Sequence, residues 1–451
     1  MLTLRLAPAA PPALRGLLEN LSHEERRVDD YIPLTANENR MSDLACAVQA
    51  SLLSHRYLLG QADERGEQGR DFVKGGLMLD GLPAVTALEQ RAVAAARAMY
   101  GVEAVELRPL SGLHATLATL LSLSRPGAVV LSIDPAHNGH FATRGLVTAL
   151  GRRSAYLAWD KARDIIDAEA AARQVEALPD GSLVLIDHSA PRFPQPVAAL
   201  RAAVRSDVCI SYDASHTLGL IAGGQFQDPI GEGADVLQGN THKTFPGPQK
   251  GMILAAREAV GRRIGETMCD YVISSQHTHH ALALYVTLLE MEVHARAYAR
   301  QVVTNALALA DALSAMGFAV RRRADGAATA SHMLLIGGFE GGRAYEFCAR
   351  LRACGLSVNA RTDRAGELIR IGIQELTRRN VRVRDIKPLA ELIRRAGRTD
   401  ESPDRIRADV REYLGQFAAV GYSFCEPDLT SATRAAPRPS GDHPIEFASD
   451  C

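Results

Sequence analysis

Short, continuously apolar runs alternate with helical patterns through the middle of the chain. Three runs rich in valine, isoleucine and leucine cover residues 128–133, 183–187 and 208–212. Segments with helical patterns lie before and between them, at 86–100, 167–177 and 197–205. Because both faces of such apolar strands must be covered, the alternation predicts a mostly parallel sheet with helices on each side. Ligands of these sheets bind beyond the carboxyl ends of the strands, where Asp134, Asp187 and Asp213 stand.

A second, smaller lobe is predicted after a long helical region at about 281–316. Its predicted strands are 318–320, 333–336 and 368–372, and its predicted helices are 344–353, 386–396 and 402–418. The domain boundaries that we expect are an N-terminal arm over residues 1–40, a large domain over 41–300, a small α+β C-terminal domain over 301–425 and a poorly ordered tail over 426–451.

Composition and charge exclude several classes of partner. The 451 residues are 47% hydrophobic and 23% charged, with a formal net charge of -1. This balance gives no electrostatic reason to expect binding to nucleic acid or to an anionic membrane. No apolar run approaches the roughly 20 residues that span a bilayer, and the N-terminus lacks the pattern of a signal peptide. We therefore expect a cytoplasmic protein.

Cysteines and histidines do not form a metal-binding pattern. The seven cysteines are scattered, odd in number and without a Cys-x-x-Cys pair, which is typical of a reducing compartment and argues against a disulfide framework or a zinc site. Histidines cluster at His137 and His140, and again at His277, His279 and His280. No carboxylate or thiol spacing completes a metal site beside them, so we predict no bound metal.

Asp213 and Lys243 carry the strongest chemical signal. Asp213 ends an apolar run, where a buried carboxylate needs a partner such as the protonated ring nitrogen of pyridoxal phosphate; capping of the next helix is the alternative. Lys243 follows about thirty residues later in a turn-rich segment, and a lysine that forms a Schiff base needs a fixed backbone and a partly desolvated amine. Without Asp213, Lys243 would be interpreted as a surface lysine in a loop. Together, the two residues predict an enzyme that uses pyridoxal phosphate.

Other residues fit the same chemistry. Ser111 and Gly112 open a helical segment, and such an N-terminus binds phosphate through its free backbone N–H groups. His137 follows a strand, where its ring could stack on a planar cofactor. His216, three residues after Asp213, could hydrogen-bond the cofactor or the substrate. Arg370 lies inside an apolar strand, where a guanidinium needs a carboxylate from either the substrate or the protein.

Together these segments resemble the serine hydroxymethyltransferase family of fold-type I pyridoxal-phosphate enzymes over about residues 30–395. The motifs that carry the resemblance lie at 34–39, 110–112, 136–140, 213–216, 241–244, 370–372 and 377–379. The resemblance implies an α/β, aspartate aminotransferase-like fold, with a mostly parallel sheet in the large domain and a smaller α+β C-terminal domain. It also implies a homodimer with active sites at the subunit interface.

The resemblance assigns roles to single residues. Lys243 would form the Schiff base with pyridoxal 5'-phosphate, Asp213 would hold its ring nitrogen and His137 would stack on its ring. The implied cofactor-binding residues are Ser111, Gly112, His137, Ser189, Asp213, His216, Thr241 and Lys243. The implied catalytic residues are Lys243, His242, His216 and Tyr57, with Tyr57 supplied by the neighbouring chain. Asn37 and Arg370 would bind the substrate, Arg370 through the substrate carboxylate.

The chain departs from the family where the family uses folate. In the matching segment, residues 57–61, Leu59 replaces the glutamate that the family needs for folate-dependent one-carbon transfer. The paired tyrosines that stack on the pterin are also missing, and Leu79 and Asp80 lie there instead. Because a leucine cannot transfer protons, we expect an enzyme that works without folate.

The leading hypothesis is an L-threonine:aldehyde transaldolase of secondary metabolism, because segments 34–39 and 239–251 resemble the branch of the family that contains such enzymes. It would cleave and form the Cα–Cβ bond of a β-hydroxy-α-amino acid through a glycyl quinonoid. Alternatively, the same carbanion would react with O₂, as in an oxidative decarboxylase or monooxygenase of antibiotic biosynthesis that acts on an amino acid such as a nucleoside amino acid. A serine hydroxymethyltransferase, a threonine aldolase and a non-catalytic scaffold are further alternatives.

Overall fold

The computed structural model describes residues 11–58, 72–73, 77–78, 82–397, 400–417 and 419–425. In this part of the chain the helices are α1 (Pro12–Asp29), α2 (Asp43–Gln49), α3 (Pro83–Tyr100), α4 (Gly112–Leu123), α5 (Thr143–Ala149), α6 (Ala168–Glu176), α7 (Val197–Ala203), α8 (Leu218–Ala222), α9 (Glu258–Thr267), α10 (Thr278–Ala315), α11 (Arg343–Ala353), α12 (Gln374–Arg378), α13 (Val383–Ala396) and α14 (Pro403–Gly415). The strands are β1 (Ile32–Pro33), β2 (Phe72–Val73), β3 (Leu77–Met78), β4 (Ala104–Glu106), β5 (Val129–Ser132), β6 (Arg153–Tyr156), β7 (Trp159–Asp160), β8 (Ile165–Ile166), β9 (Leu183–Ile186), β10 (Cys209–Asp213), β11 (Val236–Asn240), β12 (Gly251–Ala255), β13 (Met333–Phe339), β14 (Leu356–Ser357), β15 (Asn359–Asp363) and β16 (Gly366–Gly372).

The central sheet has seven strands in the order β4-β12-β11-β10-β9-β5-β6. Strand β12 runs antiparallel to both of its neighbours, and the other six strands are parallel to one another. Every residue of β9 and β12 is buried, because helices cover both faces of the sheet. The predicted mostly parallel sheet is confirmed, and its three apolar runs became β5, β9 and β10.

The carboxyl ends of the parallel strands lie along one edge of this sheet. The register pairs Tyr212 of β10 with Ile186 of β9 on one side and with Leu237 of β11 on the other. Asp187, Asp213 and the loop after β11 therefore come to the same edge, although they are far apart in the sequence. This edge is where the chain topology places a ligand.

The second lobe contains the antiparallel sheet β13-β16-β15. The predicted strand at 318–320 forms only an isolated bridge, between Val320 and Ile336. Strand β1 of the expected N-terminal arm pairs in parallel with β14, so the end of the arm is part of this lobe. The expected boundary after residue 300 falls inside α10, which is one continuous helix. The expected tail over 426–451 and Leu59 lie outside the described residues.

None of the helices in the described part of the chain is long and apolar enough to cross a membrane.

Candidate active site

Lys243 follows β11, and its side chain meets His216 at the carboxyl edge of the sheet. The distance from Lys243 Nζ to His216 Nε2 is 3.2 Å. Two contacts hold the backbone nearby: Asn39 Nδ2 donates to the Lys243 carbonyl at 2.5 Å, and Thr244 Oγ1 donates to the His216 carbonyl at 2.8 Å. Burial lowers the pKa of Lys243 to about 8, against the opposing charge of Asp213. The amine is therefore easier to deprotonate than that of an exposed lysine.

Asp213 and Lys243 line one cavity, which we call the active-site cavity. Its other lining residues are Gly112, Leu113, Thr116, His140, Asp187, His188, Ser189, Ser215, His216 and Asn240. The cavity volume is about 30 Å³. Asp213 Oδ1 accepts from the Ser215 backbone N–H at 2.8 Å, and α8 begins later, with Thr217 as its N-cap. Asp213 therefore does not cap that helix, which leaves its carboxylate for a ligand in the cavity.

The N-terminus of α4 forms one end of the active-site cavity. Ser111 Oγ accepts from the His114 backbone N–H at 3.1 Å, which makes Ser111 the N-cap. The Gly112 N–H donates to Asn240 Oδ1 at 2.8 Å, and a Cβ at Gly112 would lie only 2.5 Å from Asn240 Nδ2. Glycine is therefore required for this close approach. The Gly112 N–H already has a side-chain partner, so a phosphate at this helix N-terminus would have to replace the Asn240 contact.

Arg370 is surrounded by neutral hydrogen-bond acceptors. Its Nη1 donates to the Ser189 carbonyl, and its Nη2 donates to Asn37 Oδ1 and Asn359 Oδ1, each at 3.0 Å. Among the described residues, no carboxylate forms an ion pair with it. Burial lowers its pKa to about 10, with the charge of Arg361 acting in the same direction, so the guanidinium still carries its charge at neutral pH. The alternative of a protein carboxylate as the partner of Arg370 therefore finds no support among the described residues.

The two histidines of the 137–140 segment lie in different places. The His137 ring stacks on Trp159, with centroids 5.3 Å apart and an interplanar angle of 11°, and it does not line the active-site cavity. His140 does line that cavity, close enough to Asp213 and Lys243 for their charges to act on its pKa. The structure therefore places His140, and not His137, in the wall of the active-site cavity. Both histidines belong to the 136–140 motif, and nothing in the spacing of that motif favours His140 over His137.

Ser189 and Thr241 use their hydroxyl groups within the protein. Ser189 Oγ donates to the Asn138 carbonyl at 2.8 Å and accepts from Arg361 Nη1 at 3.2 Å. Thr241 Oγ1 donates to the Pro248 carbonyl at 2.7 Å, and Thr241 does not line the active-site cavity. Ser189 therefore contributes to the cavity wall, whereas Thr241 fixes the loop that carries the lysine.

His242 and Tyr57 do not join the cluster within one chain. His242 is half-buried and absent from the cavity lining, and burial lowers its pKa to about 4. Tyr57 is 66% exposed and is also absent from the lining. Of the predicted proton-transfer groups, only His216 touches Lys243.

His332 supports His216 from behind and was missed by sequence reasoning. Its ring stacks on that of His216, with centroids 6.0 Å apart and an interplanar angle of 15°, and its Nε2 lies 3.1 Å from the Ala36 carbonyl. Burial lowers the pKa of His332 to about 3 and holds that of His216 well below its usual range. Both rings are therefore neutral. A single histidine before a strand gives no pattern from which this role could be found.

The histidines at 277, 279 and 280 contact one another through their rings, with centroids 4.4 to 5.8 Å apart. No group of three or more histidine, cysteine or acidic side chains suited to a metal ion occurs within the described ranges.

Comparison with known proteins identifies the family. The family model for serine hydroxymethyltransferase matches residues 15–393. The chain belongs to this family. Within it, a serine hydroxymethyltransferase of Methanopyrus kandleri is 34% identical over 407 residues, which are 87% of this chain and 91% of that protein. Membership confirms the predicted fold-type I fold, the predicted class of transferase or lyase, and pyridoxal 5'-phosphate as the cofactor.

Two further relatives are transaldolases. A fluorothreonine transaldolase of Streptantibioticus cattleyicolor is 40% identical over 414 residues, which are 92% of this chain; the chain spans 64% of that protein's length. The crystal structure of an L-threonine transaldolase from Pseudomonas fluorescens, in its internal aldimine state, matches with a TM-score of 0.84 at 28% identity. That match covers 94% of this chain and 98% of the other.

Proposed function

We propose that this member of the serine hydroxymethyltransferase family is a folate-independent L-threonine transaldolase. It would release acetaldehyde from L-threonine and join the remaining glycine unit to a second aldehyde, giving a new β-hydroxy-α-amino acid. The observation that carries the proposal is the neutral surroundings of Arg370 beside Lys243, which suit an amino-acid carboxylate. The similarity to two transaldolases supports the choice of reaction.

The residues of the active-site cavity fit the cofactor. Lys243 would bind pyridoxal 5'-phosphate covalently, Asp213 would bind its ring nitrogen, and the N-terminus of α4, at Ser111 and Gly112, would bind its phosphate in place of the Asn240 side chain. The bound cofactor supplies a protonated pyridine ring that accepts the electron pair released when the Cα–Cβ bond breaks. We infer that His140, which lines the cavity, contacts the ring in place of His137.

The substrate is oriented by Arg370 and Asn37. A guanidinium binds a carboxylate through its N–H donors, and Asn37 Oδ1 accepts from Nη2 of Arg370 at 3.0 Å, which fixes the orientation of the guanidinium. We assign proton transfer at the β-hydroxyl group to His216 rather than His242. His216 is neutral, lines the cavity and lies 3.2 Å from Lys243 Nζ, so it can accept a proton there and return it.

Leu59 supports a reaction without folate. Where the family uses a glutamate for one-carbon transfer, the leucine side chain has no group that can move a proton. Cleavage of L-threonine and addition of the glycine unit to another aldehyde make no use of a one-carbon carrier.

We also propose a homodimer in the cytoplasm. Helix α1 has no buried residue, and Leu14, Leu17, Leu21 and Val28 on it are 37 to 59% exposed. Leucines spaced at 14, 17 and 21 share one face of a helix, which a second copy of the chain would cover. The exposed Tyr57 would then complete the partner's active site.

The test is to supply the holoenzyme with L-threonine and an acceptor aldehyde, without folate, while following acetaldehyde, the new amino acid and dissolved oxygen. Release of one acetaldehyde for each new β-hydroxy-α-amino acid, with no oxygen uptake, is expected. Oxygen uptake without acetaldehyde release would reject the transaldolase in favour of the oxidative alternative. Efficient conversion of L-serine that depends on tetrahydrofolate would reject folate independence.

A further inference from the structure

A second cavity, which we call the basic cavity, lies beside the active-site cavity and has a volume of about 420 Å³. Its walls come from the β7–β8 hairpin, the segment 136–138, residues 321–323 and the β15–β16 turn. Six of its lining side chains are cationic and two are carboxylates. The volume is in the range of sites that bind small molecules.

Both carboxylates of the basic cavity are already paired. Arg192 binds Asp164 at 2.6 Å, and Arg321 binds Asp363 at 2.5 Å. Two more arginines pair with carboxylates that do not line the cavity: Arg322 with Asp311 and Arg323 with Asp325. The pairing leaves positive charge in the cavity, because two cations have no counterpart.

The two remaining cations are Lys161 and Arg364. Both are exposed, and neither forms an ion pair within the described part of the chain. Arg192 adds a buried donor: this side chain is 5% exposed, and its Nε has no hydrogen-bond partner. A buried donor without a partner is costly unless a ligand satisfies it. An anion in the basic cavity would face the two cations that have no carboxylate partner, Lys161 and Arg364.

Only one layer of side chains separates the basic cavity from the active-site cavity. Asn138 lines the former, and its carbonyl accepts from the backbone N–H of Ser189 at 2.7 Å and from Ser189 Oγ at 2.8 Å; Ser189 lines the latter. Trp159 lines the basic cavity and contacts the ring of His188 edge-on, with centroids 5.3 Å apart, and His188 lines the active-site cavity. The two cavities are therefore neighbours, and a molecule that displaced these contacts would reach from one to the other.

We propose that the basic cavity binds the anionic end of the acceptor aldehyde, a carboxylate or a phosphate, while the aldehyde group lies near Lys243. This inference rests on the proposed transaldolase function and names its second substrate by class. The stacked rings of Trp159 and His137 form a flat wall in the basic cavity, which suits an acceptor whose aldehyde and anion are joined by a planar or extended unit.

Trp159 allows binding to be measured without turnover, because it is the only tryptophan of the chain. We would titrate the holoenzyme with 4-methylbenzoate and, as the neutral match, 4-methylbenzamide, while following tryptophan fluorescence. The anion is expected to give a saturable change at a concentration at least about tenfold lower than the amide. Equal responses to the two compounds, or no response to the anion, would overturn the proposal.

The variants Lys161→Met and Arg364→Gln test the source of the selectivity. Each is expected to weaken 4-methylbenzoate binding by about threefold to tenfold, since exposed charges contribute less than buried ones. Lys387→Met and Arg300→Gln remove an exposed lysine and an exposed arginine elsewhere, on α13 and α10, and are expected to leave binding unchanged. Anion binding that is as strong in both cavity variants as in the controls would place the site elsewhere and reject the proposal.

Turnover then tests whether the anion belongs to the acceptor. With L-threonine as donor, kcat/KM for 4-formylbenzoate is expected to exceed that for 4-methylbenzaldehyde by about tenfold, and this ratio should fall in the two cavity variants. A ratio near one, or a 4-methylbenzoate that binds without competing with the acceptor, would overturn the assignment. If no acetaldehyde forms from L-threonine at all, the transaldolase itself fails, while the fluorescence titration still reports whether the cavity takes an anion.

Discussion

Replacement of Arg370 by alanine is the most direct test of how the substrate is held. The guanidinium lies among three neutral oxygen acceptors, from Ser189, Asn37 and Asn359, so its charge is not cancelled by the protein. Under the proposed function, a substrate carboxylate supplies the missing anion. The variant therefore removes the group that distinguishes an amino acid from the corresponding amine.

The size of the effect follows from the kind of contact. A hydrogen bond to a charged group contributes roughly 1.5 to 3 kcal/mol, which corresponds to about a 10- to 150-fold rise in the KM for L-threonine. Arg370→Lys keeps a positive charge but cannot form two parallel hydrogen bonds to a carboxylate, so its KM should lie between those of the wild type and Arg370→Ala.

The assay measures acetaldehyde release from L-threonine over a range of concentrations. The absorbance of bound pyridoxal phosphate shows that each variant is loaded with cofactor before its KM is compared. Arg300→Gln, on the exposed face of α10, serves as the matched control and should behave as the wild type. A loaded Arg370→Ala enzyme whose KM stays within about twofold of the wild type would refute the assigned role.

Other consequences concern cofactor attachment and pH. Lys243→Ala should abolish turnover, and retained activity would contradict the covalent role of the lysine. Because burial lowers the pKa of Lys243 to about 8, covalent uptake of pyridoxal phosphate by the apoenzyme, trapped with borohydride, should accelerate up to about pH 8 and then level off; a rise that continues to pH 10 would disagree. His332 has a folded pKa of about 3, below its unfolded value near 6.5, so its stabilising contribution is present above pH 6.5 and lost as pH falls. The free energy of unfolding in urea should therefore fall by about 2 kcal/mol less for His332→Gln than for the wild type between pH 6.5 and 5. Gly112→Ala must displace Asn240 and should raise the dissociation constant of pyridoxal phosphate about tenfold, whereas Gly145→Ala, where a Cβ meets nothing within 4 Å, should not.

Local patterns predicted the elements of the central sheet because they depend on neighbours in the sequence. Runs of apolar residues gave β5, β9 and β10, and the amphipathic segments between them gave α6 and α7. The weak apolar pattern at 318–320 predicted a strand, but that segment forms only an isolated bridge through Val320. Domain boundaries were harder to place, because α10 continues across residue 300 and β1 joins the second lobe by pairing with β14.

The sequence by itself determined the family and the cofactor, through motifs that resemble those of serine hydroxymethyltransferases. It also indicated Lys243 and Asp213 as the residues that would hold the cofactor, because their types and their spacing along the chain suit that chemistry. Tertiary structure alone decided that His140 rather than His137 lines the active-site cavity, since a three-residue shift in a turn sends two identical side chains to different places. It also decided that Arg370 has neutral partners, because two of them, Ser189 and Asn37, are 181 and 333 positions away and meet the guanidinium only in the folded chain.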